Sequence, residues 1–363
     1  QLDDLKEALD AILPRDRCTI LSILPMNHLF EMTVGFSTFL NMGFSVYYTQ
    51  SLKPKDILTI MREKQVNFMI VVPAFLKLLK TTIESEIHSL SPKEQAKFKF
   101  AYHLAKFIPS SRVKKLLFKR IHDKFGGHFI GCISGGAPLD INVGKFFERI
   151  GLKIYQGYGL SETSPVVSVN FDNRRDIASV GRALKSFEAK IDSQTGELLV
   201  KGPAVMKGYH NQPVLTQSVI DSDGWLHTGD VAKISKSGHI YITGRIKNMI
   251  VLSGGKKVFP EEVEATLEKS PYFKEVCVFG HTRTFGSKDG TEEITAVIVP
   301  KDDLIQQYDD EALDKIIKDE VKMLSLQLTA YKRPVNIIVS KTDLPRTATR
   351  KVKRKEVKQL VNI

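Results

Sequence analysis

The sequence predicts an α/β protein: a parallel α/β subdomain joined to a small β-rich subdomain and followed by a small α+β C-terminal domain. Three observations predict it. Over residues 1–150, short apolar runs ended by proline alternate with stretches of helical periodicity. After about residue 170, short β-rich runs alternate with Gly, Asp and Asn turns. From Lys247 onward, strand and helix patterns follow one another in a compact α+β order. The expected divisions are 1–170, 171–246 and 247–363, within the two or three domains that 363 residues allow.

Taken in order, Leu2, Leu5, Leu9 and Ile12 recur at helical spacing, and Pro14-Arg15-Asp16 makes a turn. Residues 18–24 and 66–72 are apolar runs, each ended by a proline, as buried strands require. The helical stretch 54–64 lies between them, so strand, helix and strand argue for a parallel sheet. Strands at 129–133 and 152–155 flank a helix at 140–149. The β-rich part offers strands at 189–192, 197–200, 231–234 and 239–242. Pro260 opens a helix through Lys269, followed by strands at 276–279 and 294–299, a helix at 310–328 and a last strand at 335–340.

Hydrophobic residues make up 42% and charged residues 26%, enough to bury a core and still be soluble. Cys18, Cys132 and Cys277 stand far apart without a CxxC pattern, which argues against a disulfide framework or zinc site and for a reducing, cytoplasmic setting. The longest apolar stretch, near residues 69–79, is broken by Pro73 and Lys77 and is too short to span a bilayer. The net charge of +12 favours an anionic partner: nucleotide phosphates, an acidic protein or an anionic membrane surface. It concentrates at residues 93–124 and 341–358, without a nucleic-acid-binding motif at either place, so nucleic acid is not expected. The first cluster interleaves Leu104, Phe107, Leu116, Leu117, Phe118 and Ile121 with its cations, and Pro109 breaks it into two short helices. Such helices either pack their apolar faces on the core or make a peripheral membrane contact.

Four motifs carry chemistry. Tyr155-Gln-Gly-Tyr-Gly-Leu-Ser-Glu-Thr163 runs from a strand into a glycine turn that presents Tyr158, Ser161 and Glu162 where ligands bind in open α/β sheets. A tyrosine can cover a base, while a hydroxyl and a carboxylate suit phosphate and Mg²⁺. Ser134-Gly-Gly-Ala-Pro138, also after a strand, offers bare backbone to a flat ligand or an anion. In Gly224-Trp-Leu-His-Thr-Gly-Asp230 and Tyr241-Ile-Thr-Gly-Arg245 a carboxylate and a guanidinium follow glycine, and a carboxylate is the natural partner of two ribose hydroxyls. The fourth motif is Leu344-Pro-Arg-Thr-Ala-Thr-Arg-Lys-Val-Lys353. Alone, each also fits a plain structural reading: a strand-to-loop turn, a helix entry, a surface ion pair and a solvated basic tail.

In this order the four motifs resemble the acyl-adenylate-forming superfamily, the AMP-binding enzymes. The likeness runs from about Leu21 to Lys355, and Leu24-Pro-Met-Asn-His-Leu-Phe-Glu31 is most similar to long-chain fatty acyl-CoA synthetases. The resemblance implies ATP, Mg²⁺ and CoA as cofactors, a fatty acid substrate, and CoA or an acyl carrier protein as acceptor. It makes 1–246 the end of a large adenylating domain and 247–363 a small mobile one. Gly135, Gly136, Ala137 and Pro138 would line the adenine and ribose site together with Gln156, Gly157, Tyr158 and Gly159. Ser161 would meet the α-phosphate, Glu162 would hold Mg²⁺, and Asp230 with Arg245 would take the ribose. His28 would lie between nucleotide and acyl pocket, Lys247 would be the hinge, Gly254 and Gly255 would border the pantetheine channel, and Lys351 would be the catalytic lysine.

Two departures stand out. The family's Ser/Thr/Gly-rich phosphate loop ending in Pro-Lys-Gly is not found; the resemblance places it before Gln1, so little adenylation is expected of the chain as it stands. Arg350 occupies the place where the family usually has glycine before its catalytic lysine. A fatty acyl-CoA synthetase, an acyl-ACP synthetase or fatty acyl-AMP ligase, and a non-catalytic nucleotide-binding or membrane-associated fragment are the competing readings.

Overall fold

Proline marks both the ends of strands and the starts of helices in the first part of the chain. Its fixed φ suits the first helical turn, where its missing N–H costs nothing. The computed structural model describes residues 1–13, 17–49, 51–171, 176–282, 292–347 and 352–361. These fall into two compact units, one of Gln1–Asp192, Leu198–Thr228 and Lys233–Ile242, the other of Ser193–Glu197, Gly229–Ala232 and Thr243–Ile363.

In chain order the first unit starts with α1 (Leu2–Asp10) and β1 (Thr19–Ser22). A π-helical segment, Glu31–Thr38, then runs into α2 (Phe39–Asn41) and β2 (Ser45–Tyr48). There follow α3 (Pro54–Glu63), β3 (Phe68–Val71), α4 (Pro73–His88), α5 (Pro92–Leu104), α6 (Ser111–Leu117) and α7 (Lys119–Lys124). After these come β4 (Gly131–Ser134), α8 (Ile141–Arg149), β5 (Lys153–Tyr158), β6 (Ser168–Val169) and β7 (Arg182–Ala183). The seven strands form one sheet in the order β2-β1-β3-β4-β5-β6-β7. The first five run parallel, and β6 and β7 add antiparallel strands at one edge.

The expected strands and helix are present as β1, α3 and β3, but β2 intervenes, so α3 carries the chain from β2 to β3 on the other side of β1. Pro54 and Pro73 each occupy the first turn of a helix, and Ile57, Met61, Leu76 and Ile83 line the buried faces. Asp140 caps α8 by accepting from the Asn142 amide, and Val143, Phe146 and Phe147 face the core. Those side chains pack with Met69, Val71, Cys132 and Ile154 of the sheet. The edge strand β2 was not evident in the sequence, because Ser45-Val-Tyr-Tyr48 is mostly exposed and shows no buried alternation. The basic segment forms three helices rather than two, since the chain breaks at Phe118 as well as near Pro109.

Strands β8 (Glu188–Ile191), β9 (Glu197–Lys201), β10 (Leu226–Ile234) and β11 (Ile240–Arg245) make a four-stranded sheet in the order β11-β10-β9-β8, with α9 (Pro213–Val219) between β9 and β10 in sequence. The second unit continues with β12 (Ile250–Val251), β13 (Lys257–Val258), α10 (Pro260–Leu267), β14 (Phe273–Thr282) and β15 (Glu292–Pro300). It ends with α11 (Asp302–Gln307), α12 (Asp310–Ser325), β16 (Asn336–Val339) and α13 (Arg354–Leu360). Successive side chains of β14 point to opposite faces of its sheet. Val276 and Val278 pack with α10 and α12, while Cys277 and Phe279 pack with Leu344 and Val357. All three cysteines are buried, unbonded thiols.

Core and surface aromatics should respond differently to truncation. Phe147 is 1% exposed and Phe107 69%. Phe147→Ala should destabilise the first unit by about 3–5 kcal/mol and Phe107→Ala by about 0.5 kcal/mol or less, read from urea unfolding midpoints. Comparable losses at both positions would show that Phe107 is packed in solution.

Candidate functional site

Because β1, β3, β4 and β5 are parallel neighbours, the segments that follow them leave one edge of the sheet together. The register aligns Ser22 with Ile70, Val71 with Ser134, and Ser134 with Gln156. After β1 the chain turns at Pro25, whose carbonyl accepts from the His28 amide at 3.1 Å. Phe30 then lays its ring on the backbone after β4: a Cβ on Gly135 would stand 2.8 Å from that ring. Gly136 beside it takes the left-handed φ of +80°, which an L side chain rarely adopts. The structure thus brings the His28 segment against Gly135, with Ala137 half-buried and Pro138 exposed beyond it.

One strand over, β5 carries Gln156, Gly157 and Tyr158. The Gln156 amide is buried and donates to the Ile177 carbonyl at 2.6 Å and the Ser179 carbonyl at 3.2 Å. Its side chain is thus spent on holding a loop. Gly159 is pressed against the Pro165 carbonyl, leaving no room for a side chain. The turn ends in a short 3₁₀ helix, Ser161–Thr163, where the Thr163 hydroxyl accepts from the Leu160 amide at 2.9 Å. Ser161 is exposed, and Glu162 is held from two sides. Tyr209 donates its hydroxyl to the Glu162 carboxylate at 2.8 Å, and the Met206 amide donates to the Glu162 carbonyl at 2.8 Å. Burial first, and then the Glu162 carboxylate, push the Tyr209 phenol above its ordinary pKa, so it stays a donor. Glu162 forms no ion pair among the described residues, which leaves its charge available to a cation. Tyr209 was missed in the sequence, because a lone tyrosine after Lys207-Gly208 carries no spacing signal.

In the second unit, Asp230 on β10 meets Arg245 at the end of β11 through two contacts, 2.5 Å from Nε and 3.3 Å from Nη2. Asp230 is only 3% exposed, so this is not the solvent-exposed surface pair that the sequence left open. A forked, charge-assisted pair of this kind fixes the carboxylate plane. Lys247 lies exposed in a single 3₁₀ turn, Ile246–Asn248. Gly254 and Gly255, at φ +84° and +77°, form the open turn between β12 and β13, with nothing near the side-chain positions. Lys351 and Arg350 lie outside the described residues. Their flanks are described: Arg346 pairs with Val352, and the Lys353 amide donates to the Pro345 carbonyl at 2.9 Å. Beyond them, Arg354 anchors α13 by donating to the Glu264 carboxylate at 2.5 Å and to the Val278 carbonyl at 3.1 Å. Burial pushes the Glu264 carboxyl up to about 7 despite that guanidinium.

The sequence profile of the AMP-binding enzyme family matches residues 4–210, and that of the AMP-binding enzyme C-terminal domain matches residues 247–361. The chain belongs to the AMP-binding enzyme family. It is 36% identical, over 57% of its length, to a chloroplastic long-chain-fatty-acid–[acyl-carrier-protein] ligase of Arabidopsis thaliana, covering 30% of that protein. It is 35% identical, over 62% of its length, to a long-chain-fatty-acid–CoA ligase of Bacillus subtilis, covering 40% of that protein. The crystal structure of ATP-bound MatB from Rhodopseudomonas palustris superimposes with a TM-score of 0.75 at 25% identity, over 99% of this chain and 63% of that one. The chain spans about half the length, or less, of the curated relatives it matches.

This AMP-binding enzyme also holds a carboxylate that sequence reading passed over as part of a resemblance. Glu31 is fully buried in the π-helical segment, its carboxyl group lying against Gly35, where a side chain would collide with it. Neither carboxyl oxygen has a hydrogen-bond partner of standard geometry among the described residues, although the nearby Ser22 hydroxyl favours its ionised form somewhat. Burial dominates and pushes the carboxyl from 4.5 up to about 7.

The folded chain therefore holds a proton on Glu31 that the unfolded chain releases near pH 4.5. The stability tied to that proton is intact below the unfolded value and is lost as pH rises through about 7, by at most about 3 kcal/mol. Glu31→Gln, measured by urea unfolding, should leave stability unchanged at acid pH and raise it at pH above the folded value. A less stable Gln variant at alkaline pH would mean that the ionised carboxylate has a partner.

Proposed function

We propose that this chain is the nucleotide-binding and C-terminal part of a ligase that activates a long-chain fatty acid as acyl-AMP and transfers the acyl group to CoA. The observation that carries the reading is Glu162, braced by Tyr209 and forming no ion pair among the described residues, in the turn after β5, whose parallel neighbour β4 leads into Gly135 and Gly136. The names of the Bacillus subtilis relative and of the ATP-bound MatB support it.

In this reading Tyr158 covers adenine, while Gly135, Gly136, Ala137 and Pro138 let the base and ribose approach bare backbone. Ser161 donates its hydroxyl to the α-phosphate, and Asp230, oriented by Arg245, accepts from the ribose hydroxyls. Glu162 is the residue that would hold Mg²⁺, whose chemistry is to neutralise phosphate charge. A fatty acid carboxylate oxygen attacks the α-phosphorus, its new P–O bond forming as the bond to pyrophosphate breaks, and Lys351 stabilises the charge that develops. The thiol of CoA then attacks the acyl carbonyl, and AMP leaves with the electrons of the C–O bond. Lys247 serves as the hinge between the half-reactions, Gly254 and Gly255 flank the pantetheine arm, and His28 separates nucleotide from acyl chain. An acyl carrier protein as acceptor is the second reading, favoured by the name of the Arabidopsis relative and by the basic clusters.

Nucleotide binding can be read directly. AMP or a non-hydrolysable acyl-sulfamoyl-adenosine at about a hundredfold excess over its Kd should stabilise the chain by about 2.7 kcal/mol, and Asp230→Ala should abolish the shift. No shift with either ligand would refute the assignment.

The two half-reactions can also be separated. Given acyl-AMP and CoA, Lys351→Ala should form acyl-CoA within about twofold of the parent, whereas Lys247→Pro, which locks φ, should lower the rate at least about tenfold. An equal loss in both variants contradicts the division of labour. Replacing CoA with acyl carrier protein in the same assay identifies the acceptor.

A further inference from the structure

Helix α5, the turn after it and α6 expose large apolar side chains to water. The inner face of α5 sends Phe98, Ala101 and Tyr102 onto the core, with Ala105 of the following turn fully buried beside them. Phe98 stacks on Tyr102 at 5.8 Å and meets Phe118 edge-on at 5.5 Å. Phe100, Leu104 and Phe107, at i, i+4 and i+7, form a second stripe on the opposite face. They are 72%, 44% and 69% exposed. A helix apolar on two opposite faces is ordinarily covered on both.

Helix α6 is inverted outright. Its lysines turn inward: Lys114 donates to the Glu148 carbonyl at 3.2 Å and Lys115 to the Phe129 carbonyl at 2.8 Å. The Glu148 carbonyl lies in the last turn of α8 and the Phe129 carbonyl in the loop before β4. In consequence Val113, Leu116 and Leu117 point outward, 48%, 75% and 40% exposed.

The charge around this surface selects its partner. Lys93, Lys97, Lys99, Lys106 and Arg112 are exposed and form no ion pair among the described residues. Between residues 92 and 124 the acidic residues are Glu94 and Asp123, engaged by Arg120 and Lys119 respectively. A second copy of the same surface would set these cations against each other. An anionic bilayer takes both features at once, phosphate for the cations and the acyl boundary for the rings. None of the described helices is long and apolar enough to cross a membrane, so the contact is with its surface.

We propose that the α5–α6 surface docks this chain on an anionic lipid bilayer, with Phe100, Leu104, Phe107 and Leu116 entering the headgroup–acyl boundary and the surrounding lysines meeting lipid phosphates. Each basic residue at such a surface strengthens partitioning by about fivefold, and salt screens that part.

Co-sedimentation of the whole chain tests it, with phosphatidylcholine vesicles, phosphatidylcholine–phosphatidylserine vesicles, and no lipid. The chain should pellet with the anionic vesicles, and molar salt should weaken this at least about tenfold. Two variants, Phe107→Ser with Leu116→Ser, and Lys93→Glu with Lys97→Glu and Lys99→Glu, should each lose at least about tenfold in partitioning while keeping the parent's urea midpoint. Absence of binding to anionic vesicles at low salt overturns the proposal. So does full binding by the serine variant, which would reduce the effect to general electrostatics. Lipid-independent self-association that the serine variant abolishes would assign the surface to a second copy instead, and would also overturn it.

Discussion

The parallel register of β1, β3, β4 and β5 is the constraint on which the candidate site depends. Parallel strands cannot be joined by hairpins, so each connection must travel back over a face of the sheet before the next strand starts. The loops that begin those returns all leave one edge. Here that edge gathers His28, Phe30, Gly135, Tyr158 and Glu162 from distant parts of the sequence. Close backbone approach finishes the arrangement: Phe30 needs Gly135 bare, and the Pro165 carbonyl needs Gly159 bare. Side chains there would open the loops before they altered any contact to a ligand.

Three carboxylates show how burial decides what an acidic group can do. Asp230 is buried against a forked guanidinium, so its plane is fixed and its charge compensated. Glu162 is half-buried and oriented by a tyrosine hydroxyl, with no cationic side chain paired to it among the described residues. Glu31 has no such partner among the described residues and is raised to about 7. The cost of removing a charge from water falls in a different place each time: on the arginine, on whatever cation meets Glu162, and on the proton of Glu31.

Much of the fold was legible in the sequence. Proline-terminated apolar runs and helical periodicity are local properties, and they located β1, α3, β3, α8, β14, β15 and α12 to within a few residues. The order of the four motifs pointed to the family, because the set of four is specific even where each alone is not. The strand β2 escaped, since an exposed edge strand has no buried face to impose alternation.

Tertiary structure alone decided which groups are left over once elements pack. Gln156 stands in the Tyr155–Thr163 motif, yet its amide is drawn to the Ile177 and Ser179 carbonyls that packing places beside it. Tyr209 finds Glu162 across 47 residues of chain. Lys114 and Lys115 look like surface cations in sequence, but they turn inward to the carbonyls of Glu148 and Phe129 while the leucines of α6 stay exposed. Sequence pattern states which residues share a face of a helix or strand. Which face meets the core depends on donors and acceptors that other elements leave unpaired, and those exist only after the chain has folded.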